Sequence, residues 1–338
     1  MGSEMCIRDR STQDSMRLYV DDKLLIDGWG KDKSADQALD FHFEAGRTYK
    51  IRIEFVNDRR GARVIFGYSA GRENFPAAVE AARKADVAIL CMGDNEETSG
   101  ENFDRTDLNL PGRQLELVQA VYATGTPVVL VLQSGRPVTA NWENDHLPAI
   151  LEAWFPGEQG GTAIAKTLFG DAAPGGRLPI TFPRSVGQIP CHYSRRPGGG
   201  KRYVEMDWLP LYPFGYGLTY TTFAYRDMAL SRSVIDPQDT VTVSVTVTNT
   251  GKYTGDAVPQ LYVRDMFSSV VKPERQLAAF RRLTLAPGES RRVELTVGPK
   301  QLRTLGPDYV WRVEPGKFEL QLGDNAENIL LRADLTVE

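Results

Sequence analysis

The feature that most restricts the fold is an alternation of two periodicities between Pro76 and Phe223. Helix-type spacing of apolar residues occurs in "PAAVEAARKA", "GRQLELVQAVYATG" and "EQGGTAIAKTLFG". Short, continuous apolar runs occur in "DVAILCMG", "PVVLVLQSG" and "AILEAWFPG". Pro76 occupies the first helical position of the first segment, and Gly125 closes the second helix. This alternation predicts a doubly wound α/β domain over residues 75–223, with a mostly parallel sheet covered by helices on both faces.

The loops that leave the three predicted strands are expected to lie on one edge of that sheet. They are Gly93 to Pro111, Ser134 to Arg136, and Trp154 to Gly157. In open parallel sheets, ligands bind outside the carboxyl ends of the strands. A ligand site is therefore predicted where these loops meet.

All-β sequence flanks this domain on both sides. Residues 11–74 alternate apolar and polar residues between turn signals, and about four such strands would leave unpaired edges, so they predict part of a β-sandwich. Residues 224–338 include "TVTVSVTVTNTG", in which Val alternates with Thr or Ser, and predict a seven-strand immunoglobulin-like β-sandwich. A long loop between Pro183 and Gly217 is expected to wrap the seam between the last two domains.

The first ten residues, "MGSEMCIRDR", have no periodicity. They are predicted to be an artefact or a disordered segment. The regular sequence then begins inside a sheet, so we expect the complete protein to start further upstream.

Composition excludes several classes of function. Of 338 residues, 41% are hydrophobic and 25% are charged, which is typical of a soluble globular protein. The net charge of −4 offers no basic surface for nucleic acid, and no segment approaches the roughly 18 apolar residues of a membrane span. The residues that could bind a metal through Cys or His are Cys6, Cys91, Cys191, His42, His146 and His192. Their spacing matches no metal site, so no metal or cofactor is predicted, and Cys91 is expected to be a buried apolar residue.

A serine hydrolase is one alternative, because Gly67 to Gly71 matches the pattern G-x-S-x-G with Ser69 as the nucleophile. That motif requires a helix directly after the serine, inside a parallel sheet. Here "RENFP" intervenes before Pro76, so a turn out of a β-sandwich is the favoured interpretation. Trp142 and the segment Trp154 to Gly157 could stack on a sugar, but core packing is favoured for each aromatic side chain taken singly.

The loop after the first strand, "NEETSGENFDRTDLNLP", concentrates five carboxylates: Glu96, Glu97, Glu101, Asp104 and Asp107. For four of them, solvation is the favoured interpretation, with Arg105 or Arg113 as possible partners of Asp104. Glu101 differs in its sequence neighbours. Ser99 and Gly100 give the backbone conformational freedom just before it, and Phe103 supplies an aromatic ring just after it. A carboxyl group held against an aromatic ring loses hydration and favours its protonated form, which suits a proton donor.

Several ordered blocks resemble glycoside hydrolase family 3, the β-glucosidase family. They are "SGENFDRTDLNLPGRQLELVQAV", "PVVLVLQSGRPV", "AILEAWFPGEQGGTAIAKTLFGDAAPGGRLPITFP" and "PLYPFGYGLTYTTF". The resemblance runs over Phe75 to Phe223 and continues into residues 224–338, which resemble the family's fibronectin type III-like domain. Residues 11–74 resemble the protective-antigen-like β-sandwich that some members carry ahead of the α/β domain.

This resemblance implies which residues take part in catalysis. The family's general acid/base is a glutamate in a pattern close to S-G-E-G-x-D-R, which falls on Glu101, with Asp104-Arg105 as the following pair. Independently of the resemblance, Phe103 beside Glu101 is predicted to bind substrate. Asn102 stands where that pattern has Gly. The family's nucleophile is an aspartate on an N-terminal (β/α)₈ barrel, and the 338 residues contain no sequence that predicts such a barrel.

The resemblance therefore implies the C-terminal part of a retaining β-glucosidase that acts on terminal non-reducing β-D-glucosyl residues of oligosaccharides or aryl glucosides. The chain alone is expected to be inactive, because it lacks the nucleophile and the barrel domain. β-Xylosidase and α-L-arabinofuranosidase activities are alternatives within the family, and a non-catalytic carbohydrate-binding protein is an alternative outside it. The resemblance favours a periplasmic or secreted full-length protein, although this chain carries no export signal.

Overall fold

The computed structural model describes residues 3–9, 15–29, 37–44, 46–56, 64–69, 75–198 and 202–338. The chain divides into two compact units, residues 1–81 and 82–338. Within the described ranges, every helix is too short or too polar to cross a membrane.

The described part of the first unit contains two three-stranded antiparallel sheets. Their strands are β1 (Ser3–Asp9), β2 (Ser15–Val20), β3 (Lys23–Asp27), β4 (Gln37–Phe41), β5 (Ile51–Val56) and β6 (Val64–Ser69). β1 lies between β4 and β6, and β2 lies between β3 and β5. Leu18 of β2 and Phe66 of β6 belong to one apolar cluster, so the two sheets share a core. This arrangement confirms the predicted partial β-sandwich.

The segment Ser3–Asp9 is the central strand of the first sheet. Their sequence has no periodicity, but strand pairing uses backbone hydrogen bonds, which periodicity does not report. That residues 1–10 are an artefact or a disordered segment stays a prediction.

A three-stranded parallel sheet forms the centre of the α/β region. The strands of this sheet and the helices that alternate with them along the chain are α1 (Pro76–Arg83), β7 (Ala88–Gly93), α2 (Gln114–Tyr122), β8 (Val128–Gln133), α3 (Asn141–His146), β9 (Ala149–Glu152) and α4 (Gly160–Leu168). The strand order is β7-β8-β9, and β8 is buried along its length, with Leu130 and Val131 fully inaccessible. The predicted α/β class is confirmed. His146 is the last residue of helix α3.

Strand β7 is less buried than its continuous apolar sequence predicts. Ile89 is 44% exposed, and Cys91, which was expected in the core, is also exposed. An apolar run of this kind predicts cover on both faces of the strand. Here β7 is the edge strand, and the face that carries Ile89 and Cys91 is left open by the described residues of the second unit.

The last region is a β-sandwich, as predicted. Its elements are β10 (Phe223–Leu230), β11 (Val234–Ile235), β12 (Val241–Asn249), β13 (Gly255–Ala257), β14 (Gln260–Asp265), β15 (Gln276–Phe280), β16 (Leu283–Leu285), β17 (Ser290–Val297), α5 (Pro299–Leu302), β18 (Thr304–Leu305), β19 (Trp311–Arg312), β20 (Gly316–Gly323) and β21 (Ile329–Val337).

Two antiparallel-rich sheets of order β10-β12-β17 and β11-β21-β20-β14-β15 face each other across its core. In β12, Val241, Val243, Val245 and Val247 are all fully inaccessible, and the residues between them are half-buried. The two sheets contain eight strands, one more than the seven predicted, and β13-β16 and β18-β19 form two further small pairs. The extra strands are short segments with too few residues to show alternation.

The loop between residues 183 and 217 packs on this sandwich. Arg195 forms ion pairs with Glu274 at 3.2 Å and with Glu327 at 2.8 Å. The side-chain amide of Gln260 donates to the carbonyl of Gly215 at 3.0 Å. These contacts agree with the expectation that the loop wraps the seam between the α/β region and the sandwich; residues 199–201 lie outside the described part.

Candidate active site

The three strand exits meet at one edge of the parallel sheet. A β-carbon on Gly135, which follows β8, would lie 2.9 Å from the ring of Phe155 and 3.0 Å from the hydroxyl of Ser99. Phe155 follows β9, and Ser99 belongs to the loop after β7. The structure therefore places the three loops against each other, and Gly135 allows their close approach because it has no side chain.

The carboxyl end of β7 is held by helix α2. Gln114, the first residue of that helix, accepts a hydrogen bond from the backbone N–H of Gly93 at 2.7 Å and donates one to its carbonyl at 2.9 Å. Gly93 has a φ of +136°, and a β-carbon there would lie 2.0 Å from the carbonyl oxygen of Gln133. The chain can thus leave the sheet sharply at this position only because the residue is glycine.

A buried carboxylate organises the loop that follows. The side chain of Asp94 is 3% exposed and forms an ion pair with Arg105 at 3.3 Å. Its Oδ1 also accepts a hydrogen bond from the hydroxyl of Thr98 at 2.9 Å. A second arginine, Arg136, approaches its Oδ2 at 3.7 Å. A buried carboxylate needs such partners, since an isolated charge would be costly to remove from water.

The other acidic residues of the loop have structural or solvated positions. Asp107 pairs with Arg105 at 3.2 Å and accepts a hydrogen bond from the backbone of Asn109 at 2.9 Å. Arg113 pairs with Glu116 at 2.8 Å. Asp104 is exposed, and the two arginines suggested as its partners form ion pairs with Asp107 and Glu116.

Glu101 lies in a tight turn at the outer end of the loop. The backbone N–H of Phe103 donates to the carbonyl of Gly100 at 3.2 Å and closes the turn. Asn102 has a φ of +65°, in the left-handed region where Asn is the best tolerated residue after Gly. The replacement of the family's Gly by Asn is therefore compatible with a turn at this position.

The carboxylate of Glu101 is exposed, and no described residue forms a hydrogen bond or ion pair with it. The ring of Phe103 lies against Gly100, where an added β-carbon would be 2.9 Å from its Cδ2, and is itself 43% exposed. The expectation that Phe103 removes water from Glu101 is thus not met in this chain. Glu101 is instead free to contact a molecule that approaches from outside.

A second glutamate, Glu152, ends strand β9 at the same edge of the sheet. Burial raises its pKa to about 7. Its Oε1 accepts a hydrogen bond from the backbone N–H of Trp154 at 2.8 Å, and its buried Oε2 has no hydrogen-bond partner in the described part of the chain. Because the carboxyl group points into the protein, it can shape the turn at Trp154 but cannot reach a ligand at the surface.

The aromatic candidates have different environments. Trp154 packs edge-on against Phe182 with ring centres 5.7 Å apart, and Trp142 stacks on His146 at 4.3 Å, so both favour the core-packing interpretation. Phe155 is 56% exposed and lies at the edge where the three loops meet. It is the aromatic residue of the predicted Trp154 to Gly157 segment that is open to a ligand.

The structure gives no support to Ser69 as a nucleophile. Ser69 is the last residue of β6, which pairs antiparallel with β1, whereas the nucleophile motif needs a parallel sheet and an immediate helix. Ala70 and Gly71 of the motif lie outside the described residues. Across the described ranges, no three His, Cys, Asp or Glu side chains are grouped as a metal site would require.

Comparison with known protein families shows to which family this chain belongs. The family model for the "glycosyl hydrolase family 3 C-terminal domain" matches residues 9–220. The chain belongs to glycoside hydrolase family 3. A second model, for the fibronectin type III-like domain, matches residues 257–326, within the C-terminal sandwich. The predicted family resemblance is confirmed.

Similar family 3 proteins include enzymes named for two different sugars. A β-xylosidase of Formosa agariphila is 45% identical over 86% of this chain, and a periplasmic β-glucosidase of Salmonella typhimurium is 42% identical over 75%. The matched region is 42% of the first protein and 34% of the second, so the chain spans less than half the length of these relatives. A solved β-glucosidase from Erythrobacter marinus superposes with a TM-score of 0.75 at 41% identity, covering 78% of this chain and 36% of that one.

The sequence singled out Glu101 and Phe103 but not Asp94 or Arg136, and it indicated Arg105 only as a possible partner of Asp104. Asp94 and Arg136 both follow closely on apolar strands whose exits share one edge of the sheet. That shared position was the available signal, since opposite charges there have a chance to meet.

Proposed function

We propose that this chain is the C-terminal part of a retaining β-glycosidase and that Glu101 is its general acid/base. The observation that carries the proposal is the exposed carboxylate of Glu101, presented by a turn at the carboxyl edge of the parallel sheet. Membership of family 3 and the names of its relatives support a glycoside as substrate. Glu152 is the weaker candidate despite its raised pKa, because its carboxyl group is turned into the protein.

In this mechanism Glu101 acts twice. It first protonates the oxygen of the leaving group as the glycosidic bond breaks. It then removes a proton from the water that hydrolyses the glycosyl-enzyme intermediate. An exposed, unpaired carboxylate is suited to this exchange, since neither step requires an internal ion pair to break.

The attacking carboxylate must come from another part of the protein. A retaining reaction needs two carboxyl groups about 5–5.5 Å apart on opposite sides of the anomeric carbon. The described residues form one parallel sheet of three strands and no (β/α)₈ barrel. We assign the nucleophile to a barrel domain that precedes the matched region, as the family resemblance implies.

A β-D-glucoside at the non-reducing end of an oligosaccharide, or an aryl β-glucoside, is the proposed substrate. β-Xyloside or α-L-arabinofuranoside specificity is the alternative, because relatives named for xylose and for glucose are both similar to this chain. Phe103 and Phe155 are proposed to contact the sugar or its leaving group, since both rings are partly exposed beside the loop edge.

The isolated chain is expected to hydrolyse no aryl β-glucoside, because it lacks the nucleophile. The measurement is release of the aryl alcohol by the wild-type chain and by Glu101→Gln. Robust turnover that Glu101→Gln abolishes would show that the chain contains a nucleophile after all. Ester hydrolysis lost in Ser69→Ala would favour the esterase, and sugar binding that is independent of Glu101 would favour a binding module.

Kinetic tests of Glu101 need a partner domain. We define the fusion enzyme as the part of the Erythrobacter marinus β-glucosidase that precedes its matched region, joined to this whole chain. A folded wild-type fusion enzyme is expected to hydrolyse aryl β-glycosides. A fusion enzyme that folds but hydrolyses none would contradict the proposed function.

A further inference from the structure

Arg136 bridges the two sides of the turn that carries Glu101. Its Nη2 donates to the carbonyl of Thr98 at 3.3 Å and to the carbonyl of Phe103 at 3.4 Å. Its Nη1 lies 3.5 Å from the same Phe103 oxygen. One guanidinium therefore joins a residue before Glu101 to a residue after it.

Arg136 is held in turn by the sheet. It directly follows the Ser134-Gly135 exit of β8, and its Nε lies 3.7 Å from the buried carboxylate of Asp94 at the end of β7. The arginine side chain is 23% exposed and Asp94 only 3%. The bridge is thus fixed to the exits of two neighbouring strands.

Between the two ends of this bridge the turn has few other contacts. Thr98 and Arg105, on either side, are bonded to Asp94, whereas the turn itself is closed by the hydrogen bond between Phe103 and Gly100, and Glu101 forms no bond to other described residues. Exposed segments with few contacts open at low free-energy cost. A proton donor displaced by about 1 Å can lose ~10²-fold in rate, so the bridge matters for the chemistry.

We propose that Arg136 is a positioning residue for Glu101: its guanidinium holds the Thr98 to Phe103 turn against the sheet and so sets where the acid/base carboxylate stands. This inference rests on the proposed function. The planar fork of arginine reaches two carbonyls at once, which the single ammonium of lysine cannot do from one position. Arg136→Lys therefore keeps the charge beside Asp94 but loses the bridge.

The first test uses the 338-residue chain itself. In Arg136→Lys and Arg136→Ala, the backbone order parameters of Gly100 to Phe103 are expected to fall from about 0.85 to below about 0.6, while those of β8 stay unchanged. Arg113→Lys is the matched control, since Arg113 lies in the same loop and pairs with Glu116. Unchanged order in the turn, or an equal loss throughout the domain, would overturn the proposal.

The second test uses the fusion enzyme. Arg136→Lys is expected to lower kcat by ~10–100-fold with little change in KM, and to lower it more for poor leaving groups, which depend on the proton donor. A general loss of folding would instead reduce activity equally on all substrates. If Glu101→Gln abolishes activity but Arg136→Lys leaves kcat unchanged, the positioning role is wrong; if Glu101→Gln has no effect, the proposed function itself is wrong.

Discussion

Glu101→Gln in the fusion enzyme is expected to lower kcat/KM for an alkyl or oligosaccharide β-glucoside by ~10²–10⁴-fold, the usual contribution of a general acid/base. Glutamine has nearly the shape of glutamate but carries no transferable proton. Because Glu101 is exposed and forms no bond to the other described residues, the substitution should leave folding intact. Thermal unfolding of the variant, measured alongside the kinetics, checks this point.

The loss should depend on the leaving group. A dinitrophenolate leaves without protonation, so the first step on a dinitrophenyl glucoside should be nearly as fast in Glu101→Gln as in the wild type. Glu96→Gln is the matched control, since Glu96 is an exposed glutamate of the same loop. An equal loss on good and poor leaving groups, or the same loss in Glu96→Gln, would contradict a proton-transfer role for Glu101.

Glu152→Gln is expected to stabilise the chain at alkaline pH. Burial raises the pKa of Glu152 from 4.5 to about 7, so the folded state favours its neutral form. The stability associated with that neutral form is complete below pH 4.5 and is lost as pH rises through about 7. The free energy of unfolding of Glu152→Gln, taken relative to that of the wild type, should therefore rise by about 2–3 kcal/mol from pH 4 to pH 8.

Chemical denaturation of the isolated chain at the two pH values measures this difference. Any constant cost of burying the glutamine amide cancels, because only the change with pH is compared. Glu158→Gln, at an exposed position in the following turn, is the control and should show no comparable change with pH. A Glu152→Gln effect that is the same at both pH values would show that Glu152 is not buried as described.

The regular elements could largely be predicted, because periodicity reports burial directly. The alternation at Val241, Val243, Val245 and Val247 matches a strand with one face in the core. The continuous apolar run of β8 matches a central parallel strand. Burial was the wrong prediction for Cys91, because an apolar run does not show whether its strand is central or at the edge of the sheet.

The candidate site could be predicted only in part. The predicted parallel sheet placed the three loops at the carboxyl edge of the strands, and the family pattern pointed to Glu101 as the acid/base. The shared strand edge places Asp94 and Arg136 in the same neighbourhood, but their contact itself depends on side-chain geometry that the sequence does not give. The raised pKa of Glu152 was likewise not predictable, since it arises from burial of a residue at the end of an apolar strand.

The central claim is that Glu101 shuttles protons for a nucleophile located outside this chain. Its most direct test is rescue of the Glu101→Ala fusion enzyme by azide, with a dinitrophenyl β-glucoside as substrate. Azide is an anion that attacks without a general base, so it should restore turnover and yield the β-glucosyl azide, whose retained configuration reports the covalent intermediate. No acceleration by azide, or an α-configured product, would contradict the account.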